Sequence, residues 1–215
     1  ITTNGAVIAD LKTNKAIRTC GLSNEMVQRI LNIAKKYHSA TDPFIDGRAI
    51  TQPSSIDHMD EFGLSPQMQK LIRDTREVVP DVMEYVKTTG AQAEKINIFM
   101  ADLEEREILR RELMAMPELS ISSSMYNNLE VNAKGADKGS ALLWLADHLG
   151  ISREETMAFG DGENDIPMIK DAGIGVAMEN ALDAVKEAAD TITLNNDEDG
   201  VAAAIRKFIF GSSEE

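Results

Sequence analysis

From residue 138 to residue 194, helical and strand-like runs take turns with few spare residues between them. A parallel sheet with helices on both faces is the architecture that this alternation predicts. Residues 139–148, 166–171 and 181–189 read as helices, with Gly150 stopping the first. Residues 156–159, 174–177 and 191–194 read as short apolar strands.

Between the strand ending at Phe159 and the helix opening at Ile166 lies Gly160-Asp161-Gly162-Glu163-Asn164-Asp165. Gly160 and Gly162 permit a tight turn, Asp165 can cap the helix, and Pro167 is tolerated in its first turn. The simpler reading is a helix cap beside a solvated acidic turn, since Asp and Asn are common turn residues. The alternative is chemical. Loops after the strands of an α/β sheet are where ligands bind. Two hard carboxylates there suit Mg²⁺, which keeps several waters and shares its shell with a substrate phosphate.

The first part of the chain patterns differently. Asn4-Gly5 and the polar stretch 10–14 suggest turns around a strand or hairpin. Met26, Val27, Ile30, Leu31 and Ala34 recur at helical spacing behind Ser23, which can cap them. Further helices are expected behind Ser65-Pro66, near Pro80 with Gly90 as stop, and behind Asp102, where Glu105 would complete a capping box. Residues 95–101, 119–124 and 125–131 read as strands. Residues 16–127 therefore form an α+β unit inserted between two pieces of a second domain, 1–15 and 128–215. No internal repeat or low-complexity linker interrupts this pattern.

The Gly-Asp-x-x-Asn-Asp loop, followed by Gly173-Ile174-Gly175-Val176-Ala177-Met178 and Asn180-Ala181, resembles the Cof-type branch of the haloacid dehalogenase (HAD) superfamily of phosphatases. Upstream, Leu129-Glu130-Val131 and then Asp137-Lys138-Gly139-Ser140-Ala141-Leu142 look like that family's strand and lysine motif. Ile1 to Ala6 looks like its third core strand, and Asp197-Glu198-Asp199-Gly200-Val201 like its closing helix. The resemblance implies a HAD-like Rossmannoid parallel-sheet core, incomplete at its N-terminus, with an inserted α+β cap that selects substrate. It implies that Asp161 binds Mg²⁺ directly, while Asp165 acts from behind it and orients the loop. Lys138 holds the phosphate and neutralises the carboxylates around it, and Asn164 is read as a donor to the phosphate or from behind the metal's direct ligands. The substrate is a small phosphorylated metabolite of the sugar-phosphate kind, hydrolysed through an aspartyl phosphate. Lys134 competes with Lys138 for the lysine role, but only Lys138 is followed by Gly, a small residue and Ala-Leu.

Two family motifs do not occur. No Asp is followed two residues on by Asp-Gly-Thr, and there is no Thr-Gly-Arg. The expectation is a fragment lacking at least one β-α-β unit of about 30 residues, inactive by itself. Two other readings fit the residues: a non-catalytic module that holds a phosphorylated ligand, and a relative of the phosphorylation domain of P-type ATPases.

The net charge of −14 over 215 residues argues against a nucleic-acid partner, which would want a basic face. Solubility accounts for the excess acid. One cysteine, Cys20, permits no intrachain disulfide and suits a reducing cytoplasm. No run approaches the ~20 apolar residues of a membrane span. His38, His58 and His148 lack metal-ligand spacing, and the eleven methionines read as core filler.

Overall fold

The structure, a computed structural model, describes residues 1–211. The chain divides into two compact units, Thr2–Ala136 and the chain from Asp137 onward.

The first unit begins with a hairpin, β1 (Val7–Asp10) and β2 (Lys15–Thr19). It continues through α1 (Asn24–Ala34), β3 (Ala40–Ile45), β4 (Arg48–Thr51), α2 (Pro53–Asp57), α3 (Pro66–Thr75), β5 (Glu77–Val78) and α4 (Val82–Thr89). β6 (Lys95–Phe99), α5 (Leu103–Met114), β7 (Leu119–Ser122) and β8 (Asn128–Ala133) complete it. Six of these strands form one sheet in the order β5-β4-β3-β6-β8-β7, antiparallel except where β4 meets β5.

Local chemistry sets the helix ends. Ser23, Ser65, Asp81 and Asp102 each accept a backbone N–H two or three residues ahead, satisfying donors that the first turn would otherwise orphan. Gly90 ends α4 in the left-handed region.

β6 is buried along its whole length. Ile96 and Ile98, with Leu129 and Val131 of β8, face a core filled by Val27, Ile30 and Leu31 of α1, Val82 and Val86 of α4, and Leu109 and Leu113 of α5. Phe99 and Ala40 pack instead with Met59, Phe62, Leu64 and Ile72. The alternate positions of the strands are polar and equally buried. Lys95 Nζ pairs with Glu130 at 2.7 Å, and Arg76 Nε pairs with Asp42 at 3.0 Å. Register places Asn97 beside both carboxylate residues, opposite Asp42 on β3 and Glu130 on β8.

The second unit is α6 (Lys138–His148), β9 (Met157–Gly160), α7 (Ile166–Asp171), β10 (Ile174–Ala177), α8 (Asp183–Ala188), β11 (Thr191–Ile192) and α9 (Gly200–Phe208). Its three strands form a parallel sheet in the order β11-β10-β9, as the alternation of helix and strand predicts.

Four expectations are corrected. Ile1 to Ala6 is not a core strand: Thr3–Gly5 is a single turn of 3₁₀ helix, with Thr3, Asn4 and Gly5 all at positive φ. Leu129-Glu130-Val131 belongs to the six-stranded sheet, where antiparallel pairing on both sides captures it, so the division falls between Ala136 and Asp137 rather than at 127/128. The hairpin and the stretch from Thr2 to Lys15 group with that same unit, so no division falls at 15/16. Asn196–Glu198 is a 3₁₀ turn followed by a left-handed step at Asp199, and the closing helix begins only at Gly200.

Candidate active site

The four residues singled out by sequence, Lys138, Asp161, Asn164 and Asp165, all lie in the second unit. Its parallel sheet presents the carboxyl ends of its strands on one edge, and Gly160 closes β9 opposite Ala177 of β10. The chain leaves β9 through Asp161 and Gly162 and makes a 3₁₀ turn over Glu163–Asp165 into α7.

Asp165 is buried, and its side chain does not cap α7 by bonding forward. It turns back instead. Oδ2 accepts the backbone N–H groups of Asp161 at 3.0 Å and Gly162 at 3.1 Å, while Oδ1 pairs with the ammonium of Lys138. The forward cap is unnecessary because α7 starts directly out of the 3₁₀ turn, whose own bond runs from Asp165 N–H to the carbonyl of Gly162 at 3.0 Å. Gly160 makes this possible. A Cβ there would lie 2.3 Å from the Cβ of Asp165, so no other residue leaves room for the carboxylate to fold back over the strand end.

Lys138 opens α6, where a cation opposes the helix dipole. Two carboxylates offset it: Asp165, and the helix-capping Asp137, which accepts from Ser140 N–H at 2.8 Å and from the Ser140 hydroxyl at 2.7 Å. The next residue, Gly139, sits where a Cβ would meet Asp171 Oδ2 at 2.4 Å and the carbonyl of Pro167 at 2.6 Å. The first turn of α6 therefore rests directly on α7, which brings Lys138 onto Asp165.

Asp161 is exposed at the sheet edge. Its Oδ2 accepts from Asn180 Nδ2 at 3.0 Å, and its carbonyl accepts from Leu182 N–H at 3.1 Å. Asn164 is half-buried in the 3₁₀ turn, where its Oδ1 lies 3.1 Å from the place a Cβ on Gly162 would take. Among the described residues no three His, Cys, Asp or Glu side chains converge as a metal cluster. In the loop after β9, Asp161 is the exposed carboxylate, whereas the oxygens of Asp165 are taken by Lys138 and two amides. A donor set of one carboxylate fits Mg²⁺, whose shell is otherwise completed by waters and substrate oxygens.

The sequence reading missed Asn180 as a member of this site. Its signal was positional: it follows β10 by three residues, at the same sheet edge as Asp161.

The sequence description of the haloacid dehalogenase-like hydrolase family matches residues 1–205. The 5-amino-6-(5-phospho-D-ribitylamino)uracil phosphatase YcsE of Bacillus subtilis is 50% identical over 114 residues, 52% of this chain and 46% of that protein. YwtE of the same organism, a phosphatase of the same name, is 36% identical over 151 residues, 70% of this chain and 48% of that protein. The chain therefore matches less than half the length of either relative. Among solved structures, a haloacid dehalogenase-like hydrolase from B. subtilis superposes with a TM-score of 0.82 at 27% identity, covering 96% of this chain and 77% of the other. The HAD subclass IIB sugar phosphatase BT4131 gives 0.75 at 27% identity, covering 95% and 73%. Matched along nearly its whole length, the chain belongs to the haloacid dehalogenase-like hydrolase family.

Proposed function

We propose that the protein is a Mg²⁺-dependent phosphatase of small phosphorylated metabolites, sugar phosphates and phosphorylated polyols above all, working through an aspartyl-phosphate intermediate. The observation that carries this reading is the Asp165 carboxylate, which fixes a cationic side chain and the metal-facing loop to one point at the carboxyl edge of a parallel sheet. The attacking carboxylate is not assigned within the 215 residues, which contain no Asp-x-Asp-Gly-Thr. The names of YcsE and YwtE, whose substrate carries its phosphate on a ribityl chain, support the polyol class.

Phosphoryl transfer asks a protein chiefly for positioning and charge stabilisation. Lys138 has three N–H donors and spends one on Asp165, leaving donors for a phosphate oxygen. Asn164 offers its amide to the same group. Asp161 would hold Mg²⁺, which would neutralise phosphate charge as the bond to phosphorus breaks. Asp165 keeps the loop and the ammonium in register, so little reorganisation is needed when phosphate arrives. Substrate selection falls to the Thr2–Ala136 unit, and Cys20, the one cysteine in these 215 residues, suits a cytoplasmic setting.

The test is hydrolysis of p-nitrophenyl phosphate by the full-length protein in Mg²⁺. Asp161→Asn is expected to lower the rate by about two orders of magnitude or more, Lys138→Ala comparably, and Glu163→Ala little. A wild-type rate for Asp161→Asn would remove the metal role. Tight binding of phosphorylated compounds with no turnover by the unmutated protein would favour the non-catalytic module instead.

A further inference from the structure

We infer that Asn180 is a positioning residue that orients the Asp161 carboxylate for its cation, an inference that rests on the metal role proposed above. The side-chain amide of Asn180 is held at both ends. Its Oδ1 accepts the backbone N–H of Asn196 at 3.0 Å, and its Nδ2 donates to Asp161 Oδ2 at 3.0 Å. A backbone N–H can only donate, so the Asn196 contact decides which end of the amide is oxygen and turns the NH₂ toward the carboxylate. The result is a relay across the loops that follow all three parallel strands: Asn196 after β11, Asn180 after β10, Asp161 after β9.

Joining the loops does not require this amide. Met178 N–H already donates to the carbonyl of Gly160 at 3.0 Å, and Leu182 N–H to the carbonyl of Asp161 at 3.1 Å. Asn180 is itself exposed, where one neutral hydrogen bond contributes little to folding. What the amide adds is direction. With Oδ2 committed to a neutral donor, the carboxylate plane is fixed and Oδ1 becomes the oxygen that meets the cation. A neutral donor does this without cancelling the negative charge that the cation needs, as a lysine in the same place would. Groups that bond to metal ligands in this way typically change metal affinity by about 10–100-fold when removed.

The experiment titrates the full-length protein with Mn²⁺, read by the electron paramagnetic resonance signal of the free ion, alongside thermal unfolding without metal. Asn180→Ala is expected to weaken Mn²⁺ binding about tenfold or more with the melting temperature unchanged. Asn196→Pro deletes the N–H that sets the amide's direction together with an exposed side chain, at the first position of a 3₁₀ turn where proline is tolerated, and is expected to weaken binding less. Wild-type affinity in Asn180→Ala, with binding lost in Asp161→Asn, would overturn the positioning role and leave the metal reading standing. A fall in melting temperature that accounts for the lost affinity would also overturn it, by assigning Asn180 to the fold. Undiminished binding in Asp161→Asn, or none in the unmutated protein, would sink the metal reading and this inference with it.

Discussion

Lys138 and Asp165 are 27 residues apart in sequence and form one ion pair, in which the partly buried ammonium meets a carboxylate whose second oxygen carries the backbone of the Asp161 loop. One side chain thus serves two elements. The first turn of α6 and the turn after β9 cannot shift independently, because each is fastened to a different oxygen of the same group.

Removing that group should cost more than removing an ordinary surface partner. Asp165→Ala strands two backbone donors and leaves Asp137 as the one remaining carboxylate beside Lys138 at the helix start, which predicts a loss of about 3–5 kcal/mol. Asp165→Asn keeps one acceptor for the loop amides but turns an NH₂ toward the Lys138 ammonium, so it loses the ion pair and its hydrogen bond while the loop stays anchored, predicting about 1–3 kcal/mol. Urea unfolding of both variants checks the order. Equal losses would show that the ion pair, not the loop anchoring, dominates.

Gly160→Ala tests the packing that lets Asp165 fold back. The added methyl would sit 2.3 Å from the Asp165 Cβ, so strand end or turn must move. Overpacking of this kind predicts about 1–3 kcal/mol of destabilisation and weaker Mn²⁺ binding in the same variant. A stable variant with intact metal affinity would mean that the loop has more freedom than the contact implies.

Ile98→Ala probes the other unit's core. Ile98 is fully buried in the central strand β6, and deletion of its side chain predicts a loss of about 2–5 kcal/mol in denaturant unfolding.

Much of this was readable in advance, for identifiable reasons. The second unit obeys local rules: short apolar strands, amphipathic helices and glycine stops occur at the predicted places because each element packs against its sequence neighbours. Ser23, Ser65 and Asp102 announced their helices because a cap acts within three residues. The failures came where pairing partners are distant. Leu129 to Val131 alternates like any half-buried strand, and nothing local says whether it joins a parallel sheet or lies antiparallel between β6 and β7. The turn over Thr3–Gly5 is likewise fixed from afar, with Asn4 donating to Glu130 at 2.7 Å and Asn132 at 3.2 Å. At the site, the types and spacing of Asp161 and Asp165 were visible. The backward fold of Asp165 and the reach of Asn180 were not, since both depend on which strand ends lie side by side.

The buried polar layer of the six-stranded sheet makes a sharp prediction about pH. At Glu130, burial pushes the carboxyl up, but the Lys95 ammonium and the hydrogen bonds from Lys95, Asn4 and Ser124 together hold it below the usual carboxylate value. At Asp42, burial outweighs Arg76 and Thr51, and the carboxyl is raised. The two signs are opposite. Glu130, depressed in the folded state, contributes stability that is complete above its ordinary value, about pH 4, and is lost as pH falls through the folded value. Asp42, raised in the folded state, contributes most below its ordinary value, also about pH 4, and that contribution is lost as pH rises through the folded value. The difference in unfolding free energy between wild type and Glu130→Gln should therefore grow with pH from the acid end and level off. The difference between wild type and Asp42→Asn should shrink over the range in which pH rises above about 4. Urea unfolding of the three proteins across this range measures both slopes, and slopes of the same sign would contradict the assignment of Lys95 as a sufficient partner for Glu130 and of Arg76 as an insufficient one for Asp42.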